Sequence, residues 1–157
     1  MNTVASSRYT DAQPSEQSSA TLSEVAFTFI RIATGAVLIP HGAQKLFGWF
    51  GGYGITGTGN FFDDKLGLHP GIVFAALAGF VEFFGGLALV FGLLTRAAAF
   101  GVAVLMGVAI ISVHLSNGFF WTSGGFEYPL FWGLIAVAIA INGGGRYSLD
   151  HKFGLKF

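Results

Sequence analysis

Six ionisable residues stand inside stretches that are otherwise apolar: Arg31, His41, Lys45, Glu82, His114 and Glu127. A charge at the centre of a bilayer costs about 2.5–3.5 kcal/mol on insertion scales, so such groups are usually paired, turned inward and functional. Their types suit proton handling and hydrogen bonding to a polar headgroup. Glu82 can carry a proton, His41 and His114 can donate to a carbonyl, and Arg31 can tune the acidity of Glu82. A quinone headgroup asks for this combination, together with an apolar slot. On this reading Glu82, His41 and Arg31 form the catalytic set. His41, His114, Lys45 and Glu127 form the set that holds the bound group.

Helical spacing sorts these residues by face. At about 100° per residue, Arg31, Leu38, His41 and Lys45 fall within roughly 80° of one another, with Thr34 in the same sector. Glu82 shares a face with Ala75, Ala78, Gly79, Gly85, Gly86 and Leu89. Small residues let helices approach closely, so that face is expected to point inward. Ala103, Gly107, Ile110 and His114 align in the same way, and Glu127 sits at the mouth of the last stretch. The expected pairing is Arg31 with Glu82 inside the bundle. His41, Lys45, His114 and Glu127 would then form a second cluster toward the outer side.

Structural readings stand beside these. An Arg31–Glu82 pair can serve only helix register, Lys45 can snorkel to the interface, and His114 can be an interfacial histidine. Glu127 can be a helix N-terminal charge favoured by the dipole. Haem ligation by His41 and His114 is the weaker cofactor reading, because two histidines on different helices are a thin signal. No E-x-x-H or H-x-x-x-H motif supports a zinc or di-iron site, so no metal is expected. The chain has no cysteine, which removes disulfides, thiolate metal sites, iron–sulfur ligation and cysteine nucleophiles.

The elements that must position these groups follow from composition. Of 157 residues, 53% are apolar and 10% charged, against about 25% charged in soluble domains. Mean hydropathy is +0.66. Four buried helices in so short a chain would leave nothing to cover them in water. The expected fold is therefore all-α, an integral membrane four-helix bundle with helices at about 24–50, 71–94, 96–116 and 127–142. Each but the last is long enough for about 30 Å of hydrocarbon. Pro40 should kink or loosen the first. Thr95-Arg96 is so short a linker that the second and third must form an antiparallel hairpin. Gly143-Gly144-Gly145 stops the fourth.

Residues 1–23 are polar and Ser-rich and are expected to form a disordered tail. The domain proper is then residues 24–157. The first apolar run is too long for a signal peptide and is expected to stay as a membrane helix. Lys and Arg favour the cytoplasmic side. Arg8, Arg96, Arg146, Lys152 and Lys156 would share the side of the termini, against Lys45 and Lys65 on the other. Both termini are therefore expected in the cytoplasm. The first outer loop should hold a short interfacial helix at about 57–66, with Phe61 and Phe62 toward lipid. Gly52, Gly54 and Gly57 spell G-x-G-x-x-G, but no strand precedes them, so nucleotide binding is not inferred. Trp49, Trp121, Trp132, Tyr53 and Tyr128 suit an aromatic belt. Formal net charge is zero, and nothing points to nucleic acid.

These residues also carry a family resemblance. RIATGAVLIPHGAQKLFG (31–48) resembles the first-helix pattern of the DoxX family, with its arginine and H-G-x-x-K segment. GFVEFFGGLALVFGLLTRAAA (79–99) resembles the second block, with its glutamate, paired glycines and G-L-x-T-R turn. His114, Glu127 and NGGGRYSLDHK (142–152) fit later positions, so that the resemblance covers roughly residues 25–152. It implies a four-helix inner-membrane protein, similar to oxidoreductase or quinol-oxidase-related subunits. The family name is similar to that of a subunit of an archaeal thiosulfate:quinone oxidoreductase, and mycobacterial relatives are associated with a redox complex in the membrane.

Three functions are expected in descending order. The first is a redox-associated subunit that touches the quinone pool. The second is a scaffold or anchor for a soluble oxidoreductase, with the Gly- and aromatic-rich outer loops as docking surfaces. The third is a small transporter, which would show broken helices in an internal repeat; only Pro40 hints at one. Lipid is the first partner, and other membrane subunits or a second copy are compatible with the pattern.

Overall fold

The computed structural model describes residues 13–155. Residues 1–12, most of the expected tail, lie outside the described residues, as does Lys156. Among the described residues there is no strand. α1 spans Gln13–Phe47, α2 Gly54–Leu66, α3 Gly71–Phe91, α4 Thr95–Ala109, α5 Glu127–Asn142 and α6 Leu149–Lys152. Among the described residues, three segments are long and apolar enough to cross a membrane: Thr21–Phe47, Gly71–Phe91 and Thr95–Asn117. α5 is also apolar but has only 16 residues, about 24 Å of helix at 1.5 Å per residue.

The helix ends have local causes. α1 begins within the segment read as a tail, because Ser, Gln and Glu continue a helix into water once the apolar part is formed. It stops at Phe47 rather than residue 50, where Gly48 takes φ 73°, and a short 3₁₀ turn at Trp49–Gly51 follows. The helix runs on through Pro40. α3 ends at Phe91 with Gly92 at φ 68°, the left-handed stop that glycine adopts without a Cβ penalty. α4 passes into a π-helical turn, Ile110–His114, and then a 3₁₀ turn, Leu115–Asn117. Such π turns widen the helix and recur at functional sites.

α1 packs along α3, α4 along α5, and α3 joins α4 through the tight hairpin at Gly92–Leu94. The α1–α3 contact is a backbone-to-backbone approach. A Cβ at Gly42 would strike the Phe83 backbone, and one at Gly35 would strike the Gly86 carbonyl. Leu38, Leu89, Ala99, Val102, Met106, Ala136 and Ile139 form the central apolar cluster. α3 buries Ala75, Ala78, Gly79, Glu82, Gly86 and Leu89, the small-residue face. α4 departs from expectation. It buries Thr95, Ala99, Val102 and Met106, while Ala103, Gly107, Ile110 and His114 are half-buried. On this helix the larger side chains fill the space beside Gly85 of α3 and Gly133 of α5.

Much of the remaining helix surface is apolar: Phe29, Phe80, Phe100, Ile111, Leu134 and Ile141 are all exposed, as a lipid-facing surface requires.

Candidate functional site

Polar side chains gather at two levels of the bundle. One lies toward the end that carries α2. The other lies at the opposite end, where the C-terminal segment folds under the helices.

At the α2 end, Lys45 Nζ donates to both Glu82 oxygens, at 2.6 and 2.8 Å. The Glu82 side chain is 8% exposed and that of Lys45 26%. This overturns the expected Arg31–Glu82 pair. α1 and α3 run antiparallel, with Gly35 beside Gly86 and Gly42 beside Phe83. That register puts Glu82 level with residues near His41, about 15 Å along the axis from Arg31 at 1.5 Å per residue, beyond the reach of an arginine. Lys45 is one turn further along the same stripe, and its long stem reaches back to the carboxylate.

The ion pair faces a cavity of about 880 Å³ enclosed by α1–α5. His41, Gln44, Lys45, Glu82, Ser112 and His114 supply polar groups to its lining, with Tyr53 and Tyr128. Phe61, Phe62, Phe74, Leu77, Phe100, Val104 and Trp132 supply much of its apolar wall. Leu77, Phe100 and Val104 are also exposed on the lipid-facing surface, so the cavity opens sideways between α3 and α4. Phe61 and Phe62, expected to face lipid, both line this cavity because α2 packs against α3. The His41 ring is exposed toward this space and has no hydrogen-bond partner among the described residues.

His114 closes the π turn, and its Nδ1 lies 2.6 Å from the Gly124 carbonyl. A carbonyl only accepts, so Nδ1 carries the proton in that bond. In the neutral ring, Nε2 is then a bare acceptor. The 117–127 loop holds this arrangement. The Asn117 amide donates to the same carbonyl at 3.3 Å, and the Trp121 backbone N–H donates to Glu127 Oε2 at 3.1 Å. Glu127, expected among the binding residues, does not line the cavity and instead ties the loop that orients His114.

At the other end, Arg31 is 1% exposed. It donates to the carbonyls of Leu89 and Val90, at the end of α3, and of Tyr147 at 2.7 Å. The carbonyls at a helix C-terminus carry partial negative charge, which the guanidinium complements. Arg31 does not line the cavity: it caps α3 and anchors the C-terminal segment. Asp150 completes this clamp. Its carboxylate accepts from the backbone N–H groups of Leu94 at 2.7 Å and Thr95 at 2.9 Å, the start of α4. Its own N–H donates to the Gly92 carbonyl at 2.8 Å. Ser148 caps α6 by accepting from His151 N–H, and Glu24 accepts from Arg146 N–H. Sequence reasoning missed Asp150. The signal was Ser148-Leu149-Asp150 just past a glycine stop, an N-cap pattern with nowhere to go but back against the bundle.

The DoxX family model matches residues 26–115. The chain is 31% identical over 128 residues to an uncharacterized protein of Haemophilus influenzae, a match covering 80% of this chain and 88% of that one. It is 30% identical over 127 residues to a Bacillus subtilis protein named "Putative oxidoreductase CatD", covering 81% and 86%. It is 31% identical over 139 residues to an uncharacterized membrane protein of Mycobacterium tuberculosis, covering 78% of each. No solved structure matches.

Proposed function

Since this chain belongs to the DoxX family of membrane proteins, we propose that it is an inner-membrane redox subunit whose cavity binds a quinone or quinol ring. It crosses the membrane four times, with α5 as the short fourth span and both termini in the cytoplasm. The ring sits beside Lys45–Glu82, His41 and His114, and its tail leaves between α3 and α4 into lipid. Electrons pass to or from a partner oxidoreductase. The four side chains handle the protons and hold the ring.

One observation carries this reading. The His41, Lys45, Glu82 and His114 side chains line a single, mostly apolar cavity whose wall includes Leu77, Phe100 and Val104 of the lipid-facing surface. Small-molecule sites have this composition: a greasy wall with a few placed polar groups. The oxidoreductase name of the Bacillus subtilis relative agrees with it. A second reading, a docking subunit, draws on exposed Phe119, Phe120 and Trp121 in one loop.

Protein in lipid nanodiscs, titrated with a decyl-tailed benzoquinone, should show saturable binding that empty nanodiscs lack. Val104→Trp, which fills the portal without touching the central cluster, should weaken binding by about tenfold or more. Binding no stronger than partition into lipid would remove the quinone reading and leave the docking one. In that case triple replacement of Lys45, Glu82 and His41 by apolar residues would leave partner capture intact.

A further inference from the structure

We infer that the end of the bundle away from α2 carries a binding site for the phosphate of an anionic phospholipid, built by Arg96, Arg146 and Lys152. This site stands apart from the cavity and does not depend on the quinone reading.

The three cations come from distant parts of the chain, and the fold gathers them. Asp150 accepts from the backbone N–H groups of Leu94 and Thr95 and donates its own to the Gly92 carbonyl. That clamp seats α6 on the α3–α4 turn, with Arg96 just past one side of it and Lys152 just past the other. Arg146 is tied by its backbone N–H to Glu24 Oε2 at 3.0 Å, and its neighbour Tyr147 gives a carbonyl to Arg31. Arg96 lies folded against the glycine turn, where a Cβ on Gly143 would meet its Nε at 3.0 Å. In each case the backbone is held and the charged head is left over. All three side chains are exposed, and none makes a hydrogen bond or ion pair among the described residues. The described carboxylates at this end are engaged: Asp150 by two backbone N–H groups and Glu24 by that of Arg146. Cations left without partners attract anions, and guanidinium groups suit phosphate because their N–H donors match its oxygens.

The surroundings select a lipid over a free ion. Phe91, Leu93 and Leu94 around the α3–α4 turn, with Tyr147 and Phe153 beside α6, are all exposed at this end. At the boundary between headgroups and acyl chains, these side chains enter the apolar layer while the charged heads stay at the phosphates. Basic clusters at a membrane surface favour anionic lipids, each Lys or Arg being worth about fivefold. Zwitterionic lipid also has a phosphate, but its ammonium group meets the same cations.

His151 is exposed on α6 and the chain has no cysteine, so His151→Cys takes a single fluorophore at the site. The full chain so labelled is placed in nanodiscs of phosphatidylglycerol and phosphatidylcholine, with bromine on the acyl chains of one lipid or of the other. Quenching followed as the phosphatidylglycerol fraction rises gives the local preference, expected at about fivefold or more over phosphatidylcholine. Arg96→Gln, Arg146→Gln and Lys152→Gln should each lower that preference part way, and together should abolish it. Their side chains join no clamp, so the thermal midpoint should hold. Lys65→Gln, on α2 at the other end, should leave the preference unchanged. Equal quenching by the two lipids, or a preference that survives the triple replacement, would overturn the inference. A loss from Lys65→Gln as large as that from any of the three would overturn it in favour of diffuse surface charge. Displacement of the lipid by millimolar inorganic phosphate at constant ionic strength would overturn it in favour of a free ion.

Discussion

Lys45 and Glu82 are each other's only charged partner among the described residues, and this sets what substitution does. Lys45→Met leaves a carboxylate in a greasy wall. A fully buried pair broken this way costs about 3–5 kcal/mol. The quarter exposure of Lys45 brings the expected loss to about 2–3 kcal/mol, read by denaturant titration in mixed micelles. Lys45→Met with Glu82→Leu should restore most of that stability, because the uncompensated charge is gone, and should abolish ring binding. That Glu82 faces inward was legible in the sequence, since it shares its stripe with small residues at helical spacing. Its partner was not. Choosing between Arg31 and Lys45 required the register of two antiparallel helices, which depends on where Gly35 and Gly42 seat against α3, a tertiary fact absent from either helix alone. Of the expected cluster of His41, Lys45, His114 and Glu127, depth along each helix suffices to gather the first three at the cavity, while Glu127 lies outside its lining.

Helix-to-helix contact shows a similar division. α1 and α3 touch through glycine, so Gly42→Ala drives a methyl into the Phe83 backbone. Overpacking of this kind typically costs about 1–3 kcal/mol, and a lowered thermal midpoint in detergent would register it. The α3 face could be read because its small residues are the contact. The α4 face could not be read by the same rule, because there Val102 and Met106 fill space left by glycines on the neighbouring helices. The clamp at the C-terminal end belongs to this scale too. Asp150→Ala strips the acceptor from the buried Thr95 N–H and the part-buried Leu94 N–H at the start of α4. Unmet buried donors cost about 1–3 kcal/mol. Hydrogen exchange should therefore speed up at residues 92–96 and 147–152 together, with the cavity end unchanged. Faster exchange confined to the α6 residues would contradict the coupling.

Across the whole molecule, composition made the membrane legible at once, while α5 was always the short member. The two polar levels divide the labour: one end locks the bundle with Arg31 and Asp150, and the other leaves Lys45, Glu82, His41 and His114 around a space. The absence of cysteine makes orientation directly measurable. Lys65→Cys, on exposed α2, should react with a membrane-impermeant thiol reagent in intact cells. Lys152→Cys, on exposed α6, should react only after permeabilisation. The reverse pattern would invert the proposed topology. Whether the space is a ligand site is decided most directly by photoaffinity labelling in native membranes with an azido-quinone, with adducts located by mass spectrometry. Adducts on the α1, α3, α4 and α5 residues that line the cavity, displaced by excess unlabelled quinol, are the predicted result. Adducts scattered over the lipid-facing residues such as Phe29, Ile111 and Ile141, and insensitive to competitor, would contradict the account.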